Sequence, residues 1–152
     1  MEDGDPVGRI MKQKPVLEQT DVEIIINACC QAALTSKANV SIAVVDDGGN
    51  LMQFLRMDGA NLASVEVAPA KARTAALTGG DSSHVEQAIS SGRTSLLSLQ
   101  GVLSQTCALM AGGLVLCHED VVVGAIGVSG MTPELDSFVA NAGLQMFQTL
   151  QT

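Results

Sequence analysis

The sequence predicts an α+β domain in which helices pack on one antiparallel β-sheet, and three observations carry this prediction. Two pairs of short apolar segments are each joined by a tight turn, which is typical of β-hairpins. Helix-capping residues followed by amphipathic segments stand near both ends of the chain. The 152 residues are enough for one buried core, and no repeat or linker divides them. We expect a flexible acidic leader over residues 1–12 and one domain over 13–152.

The first predicted helix spans residues 20–36. Thr20 and Glu23 have the spacing of a capping box, and apolar residues then recur three and four positions apart, namely Val22, Ile25, Ile26, Cys29 and Ala33. A β-hairpin follows, because two apolar runs over 40–46 and 51–57 flank the turn residues Asp-Gly-Gly-Asn. This hairpin is the clearest local pattern in the chain.

The middle of the chain is predicted to be mostly helical. Residues 61–77 form a helix rich in small side chains, with Pro69 either at a kink or at its true start. A shorter helix begins near residues 81–84. Residues 91–106 mix polar residues with scattered leucines and favour no element. A further strand near 106–110 is left open.

A second hairpin and a final helix complete the predicted fold. Residues 112–113, two glycines, introduce strands at 114–117 and 121–128 around a tight turn. The last helix begins after Thr132 as N-cap, with Pro133 at its first position. Its predicted apolar stripe is Leu135, Val139, Ala142 and Met146.

Composition argues against nucleic-acid binding and in favour of self-association. The formal charge is −8, and 2% of the residues are aromatic, with no Trp and no Tyr. Such a chain repels phosphates and lacks the aromatic platforms on which single-stranded nucleic acid stacks, so we expect no nucleic-acid partner. Charged residues make up 16% of the chain, below the roughly 25% usual for soluble domains, which indicates that copies of the chain cover part of each other's surface.

The chain is expected to be cytoplasmic and not to enter the membrane. Its N-terminus is acidic where a signal peptide needs basic residues. The longest uncharged run, 94–117, has serine, threonine and glutamine through its middle, unlike a membrane helix. No cysteine pair has C-x-x-C spacing, so we expect small buried thiols in a reducing compartment at Cys29, Cys30, Cys107 and Cys117.

Three stretches of the chain carry a family resemblance. Residues 41–60 contain SIAVVDDGGNL and FLRMDGA, residues 70–76 are AKARTAA, and the glycines at 112–113 precede VGAIGVSG at 123–130. In this order, and over about residues 12–148, they resemble the GlcG/HbpS-like family, often described as haem-degrading, which includes the C-terminal domain of PduO-type proteins. The resemblance implies a profilin-like fold with a five-stranded antiparallel sheet, multi-subunit assembly, and binding of haem or corrinoid-related molecules in some members.

Arg56 and Asp58 are candidate ligand-binding residues at the end of the second strand. They are two positions apart in an extended segment, so their side chains lie on one face. The Arg56 guanidinium can bind a carboxylate or a haem propionate through two nitrogens, with Asp58 orienting it. The alternative is a structural ion pair that anchors the following loop.

Lys71 and Arg73 are further candidates on the small-residue helix. They lie about 200° apart around its axis, so one faces a pocket or a subunit boundary and the other faces solvent. Lys71 is the stronger candidate for an anionic ligand, and an inter-subunit salt bridge is its alternative role. We expect the ligand to lie between Arg56, Lys71 and the glycine pair Gly112 and Gly113.

Ser129 and the glycines around it mark the end of the last strand. Gly124, Gly127 and Gly130 indicate close approach of a packed helix or of a ligand, with the helix favoured. Ser129 precedes the final helix, whose free N–H groups can bind an anion, although acidic residues in its first turns compete for them. No histidine follows Ser129 in the chain, which argues against a serine hydrolase.

His84 and His118 are the histidines of the chain. A bound haem would take its axial ligand from them, from a Met or Cys, or from a weaker oxygen donor. The N-terminal helix, which carries a histidine in some haem-binding relatives, has none here. Because no metal-ligand spacing or phosphate-binding glycine loop is present, we expect neither a dedicated metal site nor nucleotide binding.

Three functions follow as hypotheses, of which the first is favoured. A cytoplasmic homo-oligomer binds haem or another small molecule that bears carboxylates. Alternatively, the chain is an enzyme acting on a small organic acid, in the glycolate or diol metabolism that the resemblance implies, and Asp136, Glu66 or His84 transfers a proton. The third is a structural or regulatory partner domain without a ligand.

Overall fold

The computed structural model describes residues 11–152, so the first ten residues of the predicted leader lie outside the described residues. Residues 11–18 precede the first helix without regular secondary structure. The elements in chain order are α1 (Gln19–Thr35), β1 (Ser41–Asp46), β2 (Leu51–Arg56), α2 (Ser64–Thr78), α3 (Ser82–Ser90), a 3-10 turn (Thr94–Ser98), α4 (Leu99–Val102), β3 (Gly113–His118), β4 (Val121–Ser129) and α5 (Pro133–Leu150).

The sheet of the described chain has four antiparallel strands in the order β2-β1-β4-β3, one fewer than the five that the family resemblance implied. The segment at 106–110, left open as a further strand, lies on α2 instead. The Ala108 N–H donates to the Ala70 carbonyl at 3.2 Å, and the Thr74 hydroxyl donates to the Ala108 carbonyl at 2.8 Å. Since these bonds satisfy the backbone of Ala108 on the helix, that backbone does not add to the sheet.

Both predicted hairpins are confirmed. In the first turn, the Asp46 carboxylate accepts hydrogen bonds from the N–H groups of Gly48 and Asn50, each at 2.9 Å. In the second, Glu119 and Asp120 have φ of 47° and 63°, the left-handed conformation that a two-residue turn with the twist of a hairpin requires.

The two faces of the sheet are packed with side chains of different size. Large aliphatic residues such as Ile42 and Ile126 form the core with α1 and α5. On the opposite face, Val45 packs with the alanines of α2. A Cβ at Gly127 would clash with the Ala68 carbonyl oxygen of α2. The favoured role of Gly127, close helix packing, is thus confirmed, and it explains why α2 is rich in alanine.

The helices lie close to their predicted positions, but some of the residues predicted to begin or cap them differ. The capping box of α1 uses Asp21, whose carboxylate accepts from the Glu18 N–H at 3.0 Å, and not Thr20 with Glu23. Pro69 is not the start of α2, one of its two predicted positions, but a buried residue within the helix. The Thr132 hydroxyl caps α5 as predicted, accepting from the Leu135 N–H at 3.2 Å.

The predicted apolar stripe of α5 was partly wrong. Val139 is buried as expected, but Met146 is 38% exposed, and the buried positions are Asp136, Val139, Ala140, Gly143 and Phe147. The stripe turns toward the neighbouring α1, since a Cβ at Gly143 would meet the Cys29 thiol there. Cys117 is also exposed, against the expectation that every cysteine is buried.

Candidate functional site

Lys71 and Asp136 form an ion pair in the interior, at the end of the sheet where β4 meets α5. The Lys71 ammonium donates to Asp136 Oδ2 and to the Val128 carbonyl, each at 3.0 Å. The side chains of Lys71 and Asp136 are 4% and 3% exposed. The other carboxylate oxygen of Asp136 accepts from the Met131 N–H at 2.9 Å. The charges therefore compensate each other within one chain, and not across a subunit boundary.

Gly112 and Gly113 contact Lys71 directly. A Cβ at Gly112 would lie 2.8 Å from the Lys71 ammonium nitrogen, and one at Gly113 would clash with the Lys71 carbonyl oxygen. The Gly113 N–H also donates to the Ser82 hydroxyl at 2.8 Å. Because these two residues have no side chain, Lys71 and helix α2 can pack directly against them. An anion can reach the Lys71 ammonium only if these contacts separate.

Ser129 lies next to this ion pair on β4 and is buried, at 8% exposure. The helix end that follows it is occupied by the chain itself. Asp136 in the first turn of α5 accepts from the backbone ahead of the helix, and the Thr132 hydroxyl caps it. The Leu135 N–H in the first turn is thus bound by Thr132, and Asp136, an acidic residue expected to compete with an anion there, is bound to Lys71 and to the Met131 N–H.

Arg56 and Asp58 lie at the other edge of the sheet, and both are exposed. Within the described residues no carboxylate comes within 4.0 Å of the Arg56 guanidinium, so the alternative of an ion pair with Asp58 is not formed. Arg73 is half-buried, and its Nε donates to the Thr106 carbonyl at 2.6 Å. Arg56 therefore remains open to an anion, whereas Arg73 is bound to a loop.

Arg56 and Gly113, two sides of the predicted ligand position, lie on the two opposite edge strands of the sheet, β2 and β3. Arg56 pairs with Ser41 of β1, and Ser41 pairs with Ser129 of β4, which lies next to β3. Arg56 is thus three strands away from β3, about 14 Å at the usual strand spacing. A buried hydrogen bond of 2.8 Å joins the hydroxyls of Ser41 in β1 and Ser64 at the start of α2.

The candidate catalytic residues Asp136, Glu66 and His84 do not converge. Asp136 is buried in its ion pair, Glu66 is exposed in the first turn of α2, and His84 is exposed on α3. No hydrogen bond or ion pair within residues 11–152 joins any two of them. The three candidates thus lie on three different helices, α5, α2 and α3, each with its own surroundings.

The two histidines have different surroundings. His118 Nδ1 is 2.8 Å from the Gln151 side-chain oxygen, beside a cavity of about 200 Å³. His84 borders a second cavity, of about 260 Å³, together with Arg93 and apolar side chains. Sequence reasoning named His84 but missed Arg93. The available sequence feature was Gly92, which ends α3 with φ of 107° and turns the chain back toward the helix.

No helix within residues 11–152 has the length and apolar character needed to cross a bilayer. Nor do three His, Cys, Asp or Glu side chains of this range come together in a cluster suited to a metal ion.

Comparison with known sequences shows what the chain is similar to. Residues 17–145 match the family model described as "Haem degrading protein HbpS-like". Protein GlcG of Escherichia coli strain K12 is 36% identical over 119 residues, which are 78% of this chain and 85% of GlcG.

Solved structures share the fold. The crystal structure of Klebsiella pneumoniae protein ORFY has a TM-score of 0.82 and 29% identity, covering 93% of this chain and 98% of ORFY. The crystal structure of a PduOC:heme complex has a TM-score of 0.80 and 26% identity, covering 87% of this chain and 95% of PduOC.

Proposed function

Because the chain belongs to the HbpS-like family, we propose that it binds haem or a closely related tetrapyrrole and does so as a homo-oligomer. The observation that carries the proposal is the similarity to PduOC in complex with heme, over nearly the whole of both chains. The description of the matching family model supports the same ligand class.

The surface chemistry of the chain agrees with a flat apolar ligand that carries carboxylates. Its exposed apolar side chains include Leu62 and Val102, at 79% and 75% exposure. A propionate needs an exposed cation, and within the described residues two arginines, Arg56 and Arg93, are exposed and have no ion pair. Since the whole protein is acidic, binding depends on such a local cation and not on the overall field.

Self-association is proposed from a different surface, which carries no charge. A groove of about 640 Å³ runs between α1 and α5, bordered by Ile24, Gln31, Ala142 and Met146 with no charged side chain. Phe138 on α5 is 57% exposed. Two copies of an acidic chain can meet at an uncharged face without bringing like charges together.

Titration with ferric hemin tests the ligand. Because the chain has no Trp, the Soret band of the ligand must report binding. We expect a saturable Soret change that ends at one hemin per chain. The same chain unfolded in urea is the control and should take up hemin without saturation. Unsaturable uptake by the folded protein would contradict the proposal.

Light scattering tests the oligomer separately. We expect a mass that is a multiple of the 15.7 kDa chain, with and without hemin. A particle of 15.7 kDa at micromolar concentration would contradict the homo-oligomer and leave the ligand proposal standing.

A further inference from the structure

A small cavity between α3 and the segment that follows it combines an imidazole, a guanidinium and apolar walls. Its volume is about 260 Å³. Val85, Ala88, Leu96 and Leu99 form its apolar wall, and its polar border consists of Thr78, Gly80, Asp81, His84 and Arg93. Haem sites in proteins combine the same elements, since the macrocycle needs apolar contact, the iron a ligating atom and the propionates a cation.

The His84 imidazole is available to a metal. The side chain is exposed on α3, and no other side chain or carbonyl within residues 11–152 takes a hydrogen bond from it or gives one. The second histidine differs, because the Nδ1 of His118 is engaged by Gln151 at 2.8 Å. Both ring nitrogens of His84 are thus free, and a neutral imidazole is the commonest metal ligand among side chains.

The Arg93 guanidinium is equally uncommitted. Arg93 is exposed, and it forms no ion pair and no side-chain hydrogen bond within the described chain. Two acidic residues, Asp81 at the N-cap of α3 and Glu86 within it, lie near Arg93 in the chain; Asp81 also lines the cavity, and neither forms an ion pair with Arg93. The Asp81 carboxylate accepts from the Val115 N–H at 3.1 Å, and the Glu86 carboxylate accepts from the Ala111 N–H at 2.8 Å. A propionate at Arg93 therefore need not displace a carboxylate.

The apolar wall extends beyond the cavity. A tetrapyrrole is larger than 260 Å³, so the cavity holds one side of the ring and the remainder lies on the neighbouring surface. In the segment that follows Arg93, Leu97 and Val102 are apolar side chains with 50% and 75% exposure, and they can add apolar contact there. The donor set and the apolar surface together fit one face and one edge of a haem.

The surface around Arg56 lacks such an imidazole. Arg56 ends β2 at the end of the sheet where β1 begins, whereas His118 lies beside the β3–β4 turn at the opposite end. His84 follows the far end of α2, a helix of 15 residues and thus about 22 Å long. A histidine-bound iron and a propionate at Arg56 of the same chain therefore do not belong to one ligand.

We propose that the His84 imidazole would bind the iron of the tetrapyrrole, and that the Arg93 guanidinium would bind a propionate of the same molecule. This inference rests on the proposed function and specifies its site. The iron supplies the chemistry of the bound group, and the chain supplies one imidazole, one guanidinium and an apolar wall.

Ferric hemin titrations of the full chain test the iron ligand through the visible spectrum and electron paramagnetic resonance. In His84→Ala we expect loss of the imidazole-ligated spectrum and about tenfold weaker binding, as the loss of one good ligand interaction implies. Added free imidazole should restore the spectrum. His118→Ala is the matched control and should keep both the spectrum and the affinity.

The outcomes separate this inference from the proposed function. If the wild-type protein binds hemin saturably and His84→Ala gives the same spectrum and affinity, the His84 assignment is overturned while haem binding stands. If the wild-type protein fails to bind hemin saturably, the proposed function fails, and this inference with it. Circular dichroism of each variant checks that its fold is intact before titration.

The propionate contact is tested with hemin dimethyl ester, in which both carboxylates are blocked. The wild-type protein should bind hemin about tenfold more tightly than the ester, the worth of one charge-assisted hydrogen bond. Arg93→Ala should lose this preference, and Lys12→Ala, which removes an exposed cation that does not line the cavity, should keep it. Loss of the preference in Arg56→Ala, with Arg93→Ala unchanged, would move the carboxylate site to Arg56.

Discussion

Lys71 of α2 and Asp136 of α5 bond to each other across 65 positions of sequence, at 3.0 Å and almost out of contact with solvent. The ammonium also holds the Val128 carbonyl, and the carboxylate also holds the Met131 N–H. The pair thus ties α2, the end of β4 and the start of α5 together. Bringing these charges out of water is costly, and their mutual attraction and additional hydrogen bonds offset that cost.

Removing one charge of this pair should destabilise the protein strongly. In Asp136→Asn the Lys71 ammonium stays buried without a counter-charge, and we expect the free energy of unfolding to fall by about 3–5 kcal/mol. Urea unfolding, followed by circular dichroism, measures this free energy of unfolding. The double variant Lys71→Met/Asp136→Asn should lose less free energy of unfolding than the sum of the losses of the two single variants. Asp58→Asn, an exposed control, should stay within about 0.5 kcal/mol, and a similar value for Asp136→Asn would contradict the prediction.

Gly127 should not tolerate a methyl group. An alanine Cβ there would clash with the Ala68 carbonyl oxygen and push α2 away from the sheet, so Gly127→Ala should cost about 3 kcal/mol or leave the chain unfolded. The matched control is Gly101→Ala in α4, where nothing lies within 4 Å of the new methyl group. Thermal melts compare the two, and an unchanged melting temperature for Gly127→Ala would show that α2 does not approach β4 this closely.

Thr74 should hold the 106–110 segment on α2. In Thr74→Val the shape is kept, but the Ala108 carbonyl loses its hydroxyl donor, with an expected loss of about 1–3 kcal/mol. Hydrogen exchange of the Ala108 amide should accelerate more than that of the sheet amides. Thr78→Val serves as control, because it removes a hydroxyl of the same helix that bonds to the Thr74 carbonyl and not to the 106–110 segment. Equal exchange at Ala108 in both variants would count against the docking role.

The cysteines should react with a thiol reagent in a definite order. Burial raises the pKa of the Cys29 thiol to about 12, so at pH 8 it carries almost no thiolate and the reagent cannot reach it. Cys117 is exposed, although partial burial and then Asp120 and Asp81 raise its pKa too. We expect Ellman's reagent at pH 8 to modify Cys117 before Cys29, and faster as the pH rises.

Full denaturation is the control for the thiol experiment. In guanidinium chloride all four cysteines should react at one rate, because burial is lost. Mass mapping of the modified peptides identifies the residues. Modification of Cys29 in the native protein as rapidly as Cys117 would contradict the burial of Cys29 against Gly143.

Local patterns in the sequence were sufficient for most elements. The first hairpin depends on Asp46 binding the backbone of Gly48 and Asn50, and the start of α5 depends on Thr132 and the Leu135 N–H. Each of these interactions joins residues within four positions of one another. Such contacts form wherever the short segment occurs, so composition and spacing were enough to predict them.

The buried polar residues could not be placed in this way. A lysine on an alanine-rich helix is predicted to be accessible, because an ammonium is rarely buried without a partner. Lys71 is buried because Asp136 arrives from a distant helix, and because Gly112 leaves room for the ammonium. The pairing of 106–110 with α2 also depends on distant residues.

By itself, then, the sequence determined the two hairpins, the helices at both ends and, through three short stretches, the family. Only the tertiary structure decided which candidate residues are open to a ligand. It buried Lys71 and Ser129, left Arg56 and His84 exposed, and brought Arg93 to the cavity beside His84. The physical reason is that exposure depends on what packs against a side chain from elsewhere in the fold, and spacing along the chain does not specify that.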